Sequence, residues 1–275
     1  MLRALFISFV TAVTLAAPVA RAQDDDANAL FDAMGLPEIM DVMRQEGIDY
    51  GDTIARDMFP SGMTPRWADA VAEIYDADTM VAQMRAAFVA ALGDGDAAAM
   101  LAFYQSDLGR RVVTLEIDAR RAMLDPALED AAKQMAAQAL QDDTDRAQMI
   151  TDFISANNLI EANVVGALNS NYAFISGLVS GGATLPGLMA DDILADVWDQ
   201  EPEIRATTTE WLYAFLMLAY EPLPDADLAE FSAMTQTTAG RDLTAALFIA
   251  FDDLFEQVSR DLGVAASAFI VSQEL

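Results

Sequence analysis

Apolar residues recur every three or four positions along most of the chain, and nothing resembles a run of strands, so the pattern predicts helices. The clearest case is 107–124. Leu108, Val112, Leu115, Ala119 and Ala122 form one stripe there, while Arg110, Thr114, Asp118 and Arg121 share the opposite face, so one side packs on a core. Ser106 is placed to cap this helix, and Asp125-Pro126 gives the next one an Asp cap and a Pro in its first turn. Asp107 with Arg111, and Glu116 with Arg120, have the spacing of i,i+4 ion pairs. The segment 211–220 is apolar on every side yet too short to span a bilayer. It reads either as a buried helix, covered on one side by the apolar stretch 243–255, or as the contact surface of a homodimer.

The helical pattern repeats. At an offset of 131 residues, Asp94, Asp96, Ala98, Ala102, Gln105, Gly109 and Arg110 fall on Asp225, Asp227, Ala229, Ala233, Gln236, Gly240 and Arg241 without a gap. Trp67 falls on Trp198 and Ser106 on Thr237 at the same offset, while Phe31 and Tyr50 meet Phe153 and Tyr172 at an offset of 122. The difference places an insertion in the loop-like stretch 180–187. The expected architecture is therefore all-α, with two tandem related multi-helix units at 23–143 and 144–275. A glycine early in a helix costs about 1 kcal/mol relative to alanine. Its presence at both Gly109 and Gly240 implies close approach of another backbone, with Gly109→Leu far more damaging than Gly109→Ala.

Residues 1–22 have the form of a cleaved signal peptide: Arg3, the apolar run 4–17, and the small-x-small site Ala20-Arg21-Ala22. The expected location is the periplasm or the exterior of a Gram-negative cell, with Asp24-Asp25-Asp26 as a frayed acidic start and no membrane span after cleavage. The chain holds 44 Asp and Glu against 15 Lys and Arg, a net charge of −29. Loss of Arg3 and Arg21 takes the net charge to −31. Such a balance argues against nucleic acid as a partner, because phosphate binding needs a cationic surface.

Histidine and cysteine are absent, which removes Ser-His-Asp and Cys-His nucleophiles, His or Cys zinc sites and disulfides. Lys133 is the sole lysine, and no serine motif accompanies it. Neither Asp94-Gly95-Asp96 nor Asp142-Asp143-Thr144-Asp145 continues as a twelve-residue calcium loop. No catalytic, cofactor or metal residues are therefore assigned. Arg110 and Arg121 form the candidate interaction pair, against which stands simple pairing with Asp107, Glu116 and Asp118. Met34, Met40, Met43, Met58, Met63, Met80 and Met84 crowd the first unit, either as core filler or as a soft surface for apolar partners. The expected function is non-catalytic binding of a protein, peptide or apolar ligand. The alternatives are a carboxylate-dependent hydrolase of cell-wall glycan and a structural homodimer.

Phe103-Tyr104-Gln105-Ser106-Asp107-Leu108-Gly109 resembles the Phe-Tyr-x-Ser-x-x-Gly signature of a family of exported bacterial proteins classed as a domain of unknown function. The resemblance runs over about 36–125 and is degenerate in the second unit, where Thr237 and Gly240 persist but the Phe-Tyr pair is lost. It implies a small all-helical fold and export, and no catalytic residues. Asp107 stands where many relatives have proline.

Overall fold

The computed structural model describes residues 17–59, 62–183 and 193–273, with side chains placed from 23 to 270 within them. Its helices are α1 (Ala17–Ala33), α2 (Leu36–Met58), α3 (Pro65–Ile74), α4 (Ala77–Leu92), α5 (Ala97–Tyr104), α6 (Asp107–Ala122) and α7 (Pro126–Gln141). They continue as α8 (Asp145–Ala156), α9 (Leu159–Ser180), α10 (Ile193–Trp198), α11 (Glu201–Tyr220), α12 (Asp225–Thr235) and α13 (Thr238–Gln273). No strand occurs among the described residues, so the fold is all-α. Residues 1–16 of the expected signal peptide, and 184–187 of the expected inserted loop, lie outside the described residues. Asp24–Asp26 are helical, within α1, where a frayed terminus was expected.

Two large cores organise these helices. In the first, Phe31, Met40, Trp67 and Phe88 of α1–α4 pack against Leu243, Leu254 and Leu262 of α13. In the second, Val112, Ile150, Leu216 and Phe231 bring together α6, α8, α11 and α12. Both cores draw on residues from either side of residue 143. Helix α6 is the shared wall: Leu108, Val112 and Ala119 enter the second core, whereas Val113 and Ile117 enter the first. Helix α13 is held tightly on α9 by two glycines. A Cβ on Gly177 would sit 2.3 Å from the Arg260 carbonyl oxygen, and one on Gly263 would sit 2.1 Å from that of Phe174. No L side chain fits between backbones so close.

The turn from α5 into α6 recurs, contact for contact, between α12 and α13. Ser106 Oγ accepts from the Gly109 amide at 3.1 Å, and Thr237 Oγ1 accepts from the Gly240 amide at 3.0 Å. Arg110 donates to the Gln105 carbonyl, and Arg241 donates to that of Gln236. A Cβ on Gly109 would lie 2.2 Å from the Phe103 carbonyl oxygen, and one on Gly240 would lie 2.3 Å from that of Met234. The approaching backbone is thus the last turn of the preceding helix. Because the Cβ itself collides, alanine already carries the penalty expected of leucine.

Other repeat positions share burial or diverge. Phe31 and Phe153 are both buried, and Tyr50 and Tyr172 are 48% and 46% exposed. Trp67 is wholly buried and donates to the Gly51 carbonyl at 2.8 Å, whereas Trp198 is 63% exposed. Asp96 caps α5 by accepting from the Ala99 amide. Asp225 and Asp227 instead sit in the first turn of α12 and pair with Arg146 at 2.9 Å and Arg111 at 2.8 Å. The expected i,i+4 pairs on α6 are also replaced. Asp107 pairs with Arg110 at 2.6 Å, Arg111 reaches Asp227, and Arg120 reaches Glu46 on α2. For Arg111 and Arg120, partners on α12 and α2 win because those helices pack against α6.

Candidate functional site: a cavity between the two cores

The stretches 211–220 and 243–255 join different cores and do not cover each other as the sequence pattern suggested. Between them lies a cavity of about 750 Å³. Trp211 and Phe215 on α11 form one stacked ring pair in its wall, with centroids 5.0 Å apart. Phe251 and Phe255 on α13 form a second, at 6.0 Å. No residue of 211–220 is exposed; its buried side chains serve the second core, and its half-buried Trp211 and Phe215 serve the cavity. Met34 and Met43 also line the cavity, while Met40, Met80 and Met84 are core.

Residues related by the 131-residue sequence offset meet across the cavity. At the 131-residue offset Tyr104 corresponds to Thr235, Glu116 to Leu247 and Arg120 to Phe251, and all six side chains reach this one cavity. Tyr104, Glu116 and Arg120 are polar, whereas their counterparts are Thr235 and the apolar Leu247 and Phe251. The result is a two-sided chamber.

Glu116 sits on the enclosed side of α6, three or four places from buried Val112, Val113 and Ala119. Burial pushes its pKa from the usual carboxylate value up to about 7, against the opposing effect of the hydrogen bond from the Tyr220 hydroxyl. Burial, and then the charge of Glu116, raises the Tyr104 and Tyr220 hydroxyls, so both stay neutral donors at ordinary pH. Asp252 on α13 also titrates high, through burial first and then repulsion from Glu256 and Asp253. It lies against the backbone of α9, where a Cβ on Gly166 would come within 2.5 Å of its Oδ1.

The cations of the wall are already engaged. Arg120 holds Glu46 through Nε and Nη2, both at 2.7 Å, and lies 4.9 Å from the Trp211 ring centroid. Lys133 pairs with Glu129 at 2.8 Å. Among the described residues, no group of three or more acids is arranged to hold a metal ion.

Of the residues singled out from sequence, Tyr104 reaches the cavity. Phe103 stacks on Phe231 at 6.0 Å and packs on both cores. Ser106, Gly109, Thr237 and Gly240 build the two turns. Arg110 and Arg121 are exposed and pair with Asp107 at 2.6 Å and Asp118 at 3.9 Å within their own helix, away from the cavity. Sequence reasoning missed the roles of Glu116, Tyr220 and Asp252. The one available signal was an acid at position 116 amid the buried face of an amphipathic helix.

Residues 78–138, from α4 into α7, match a sequence family described as "Uncharacterized protein conserved in bacteria (DUF2059)". The matched stretch includes the 103–109 motif and carries Tyr104, Glu116, Arg120, Glu129 and Lys133 of the cavity wall. No curated protein and no solved structure matches the chain. Among the described residues, no helix is long and apolar enough to cross a membrane.

Proposed function

We propose that the chain is an exported, non-catalytic binding protein that encloses an apolar ligand in the cavity between its cores. The observation that carries this reading is a chamber of about 750 Å³ walled chiefly by aromatic and aliphatic side chains. A volume of that size suits one lipid-like or drug-sized molecule, and apolar walls reward its desolvation. Export to the periplasm rests on residues 1–22.

Binding of the neutral apolar dye N-phenyl-1-naphthylamine tests the reading. Saturable fluorescence at one dye per chain is expected, and Ala167→Phe, which fills the cavity from α9, abolishes it in a chain that still melts cooperatively. A dye that fails to bind, or binds Ala167→Phe equally, refutes the reading.

A second reading, a carboxylate-dependent hydrolase of cell-wall glycan, draws on the presence of Glu116 and Asp252 in one cavity with raised pKa values. Against it, Asn157, Asn163, Thr207, Thr235 and Thr244 of the wall already donate to backbone carbonyls of their own segments, and the Tyr220 hydroxyl donates to the Glu116 carboxylate. Release of soluble fragments from purified peptidoglycan, lost in Glu116→Gln, would establish the hydrolase in place of the binding protein.

A further inference from the structure

We infer that the ligand of this cavity is an amphipathic organic cation, a protonated amine or quaternary ammonium carrying a hydrocarbon tail. The inference rests on the binding reading above and adds the charge of the ligand. The wall carries five charged side chains, Glu116, Arg120, Glu129, Lys133 and Asp252, of which both cations are paired: Arg120 is held by Glu46 of α2 in a two-point pair, and Lys133 by Glu129. Glu116 and Asp252 are the two carboxyls left over. Among the described residues, no ion pair reaches either of them.

An entering anion would meet two acids and find both basic groups occupied. An entering cation meets the reverse. The stacked rings of Trp211 and Phe215, and of Phe251 and Phe255, add the negative faces that attract ammonium groups, most strongly where water is excluded. The net charge of −29 acts in the same sense, because a cleft with low-dielectric walls focuses the field of the surrounding acids. Tyr220 limits the cost of an ionised Glu116, since its hydroxyl already donates to the carboxylate. The tail then lies along the apolar wall contributed by Leu247, Phe251 and Phe255.

The test uses three probes of equal chain length below their micellar concentrations: dodecyltrimethylammonium, dodecanoate and dodecanol. Each displaces the bound naphthylamine dye from the full-length protein at pH 8, above the raised Glu116 titration, in 0.15 M salt, where surface attraction is largely screened. Dodecyltrimethylammonium is expected to displace the dye at a concentration about tenfold or more below that of dodecanoate, a gap of at least about 1.4 kcal/mol. The double variant Glu116→Gln, Asp252→Asn should close most of that gap while leaving dodecanol unchanged. Ala167→Phe keeps every surface charge and holds no dye, so dodecyltrimethylammonium binding to it is read by isothermal titration calorimetry; binding as tight as to the parent would mark surface adsorption and overturn the inference. Equal displacement by cation and anion, or a gap that persists in the double variant, would also overturn it. Failure of the dye itself to bind would remove the binding reading underneath, a separate and earlier result.

Discussion

The Tyr220 hydroxyl donates a hydrogen bond to the Glu116 carboxylate, joining α11 to α6 at the edge of the cavity. An acid there is tolerated because a donor meets it, yet burial still favours its neutral form, and its pKa rises from 4.5 to about 7. The folded chain therefore holds this proton more tightly than the unfolded chain does. Below pH 4.5 both states are protonated and the site is neutral to stability; between 4.5 and about 7 the unfolded state alone loses its proton, so stability falls as pH rises. Glu116→Gln keeps an acceptor for Tyr220 and removes the titration. Urea denaturation should show the variant gaining on the parent across that window, by up to about 3 kcal/mol at pH 8. Parallel curves for the two proteins would exclude a raised Glu116.

Removing the donor acts the other way. Tyr220→Phe should move the Glu116 titration still higher, because the ionised carboxylate loses the hydrogen bond that favours it. Carboxyl carbon NMR through pH 5–9 reads the midpoint directly. A midpoint that falls would contradict the geometry.

Gly109→Ala and Gly240→Ala should each destabilise the fold by roughly 2 kcal/mol or more, reversing the gain of about 1 kcal/mol that alanine normally brings to a helix interior. The cause is a Cβ placed 2.2 Å or 2.3 Å from a backbone carbonyl oxygen of the preceding helix. Thermal melts that match the parent would show that the turns relax easily.

The two caps are equivalent in geometry, so Ser106→Ala and Thr237→Ala should cost about 1 kcal/mol each and add in the double variant. Chemical denaturation measures all three. A marked excess in the double variant would mean the caps are coupled through the helices between them.

Arg120→Ala should cost more than any exposed arginine, since it frees Glu46 from a two-point pair and uncovers the Trp211 ring. A loss of roughly 2 kcal/mol and a change in tryptophan emission are expected. Arg121→Ala, by contrast, should stay within about 0.5 kcal/mol, because its contact to Asp118 is long and exposed. Equal losses for the two would undercut the distinction between a cavity-wall arginine and a surface one.

Helical class, caps and the repeated glycine turn could be read from local pattern because they depend on residues three to five places apart. Ser106 with Gly109, and Thr237 with Gly240, are contacts of that range. Periodicity also placed Glu116 among apolar positions, yet the same spacing let it be read as a surface partner of Arg120. Glu116 instead meets Tyr220 across 104 residues, and Arg120 meets Glu46 across 74. Likewise, nothing local indicates whether two apolar helices will touch or stand apart. Segments 211–220 and 243–255 each satisfy their own core, and the space left between them is the cavity. Local propensity fixed the elements; long-range packing alone decided which side chains faced that space, because burial is a property of what surrounds a helix and is not carried by the helix itself.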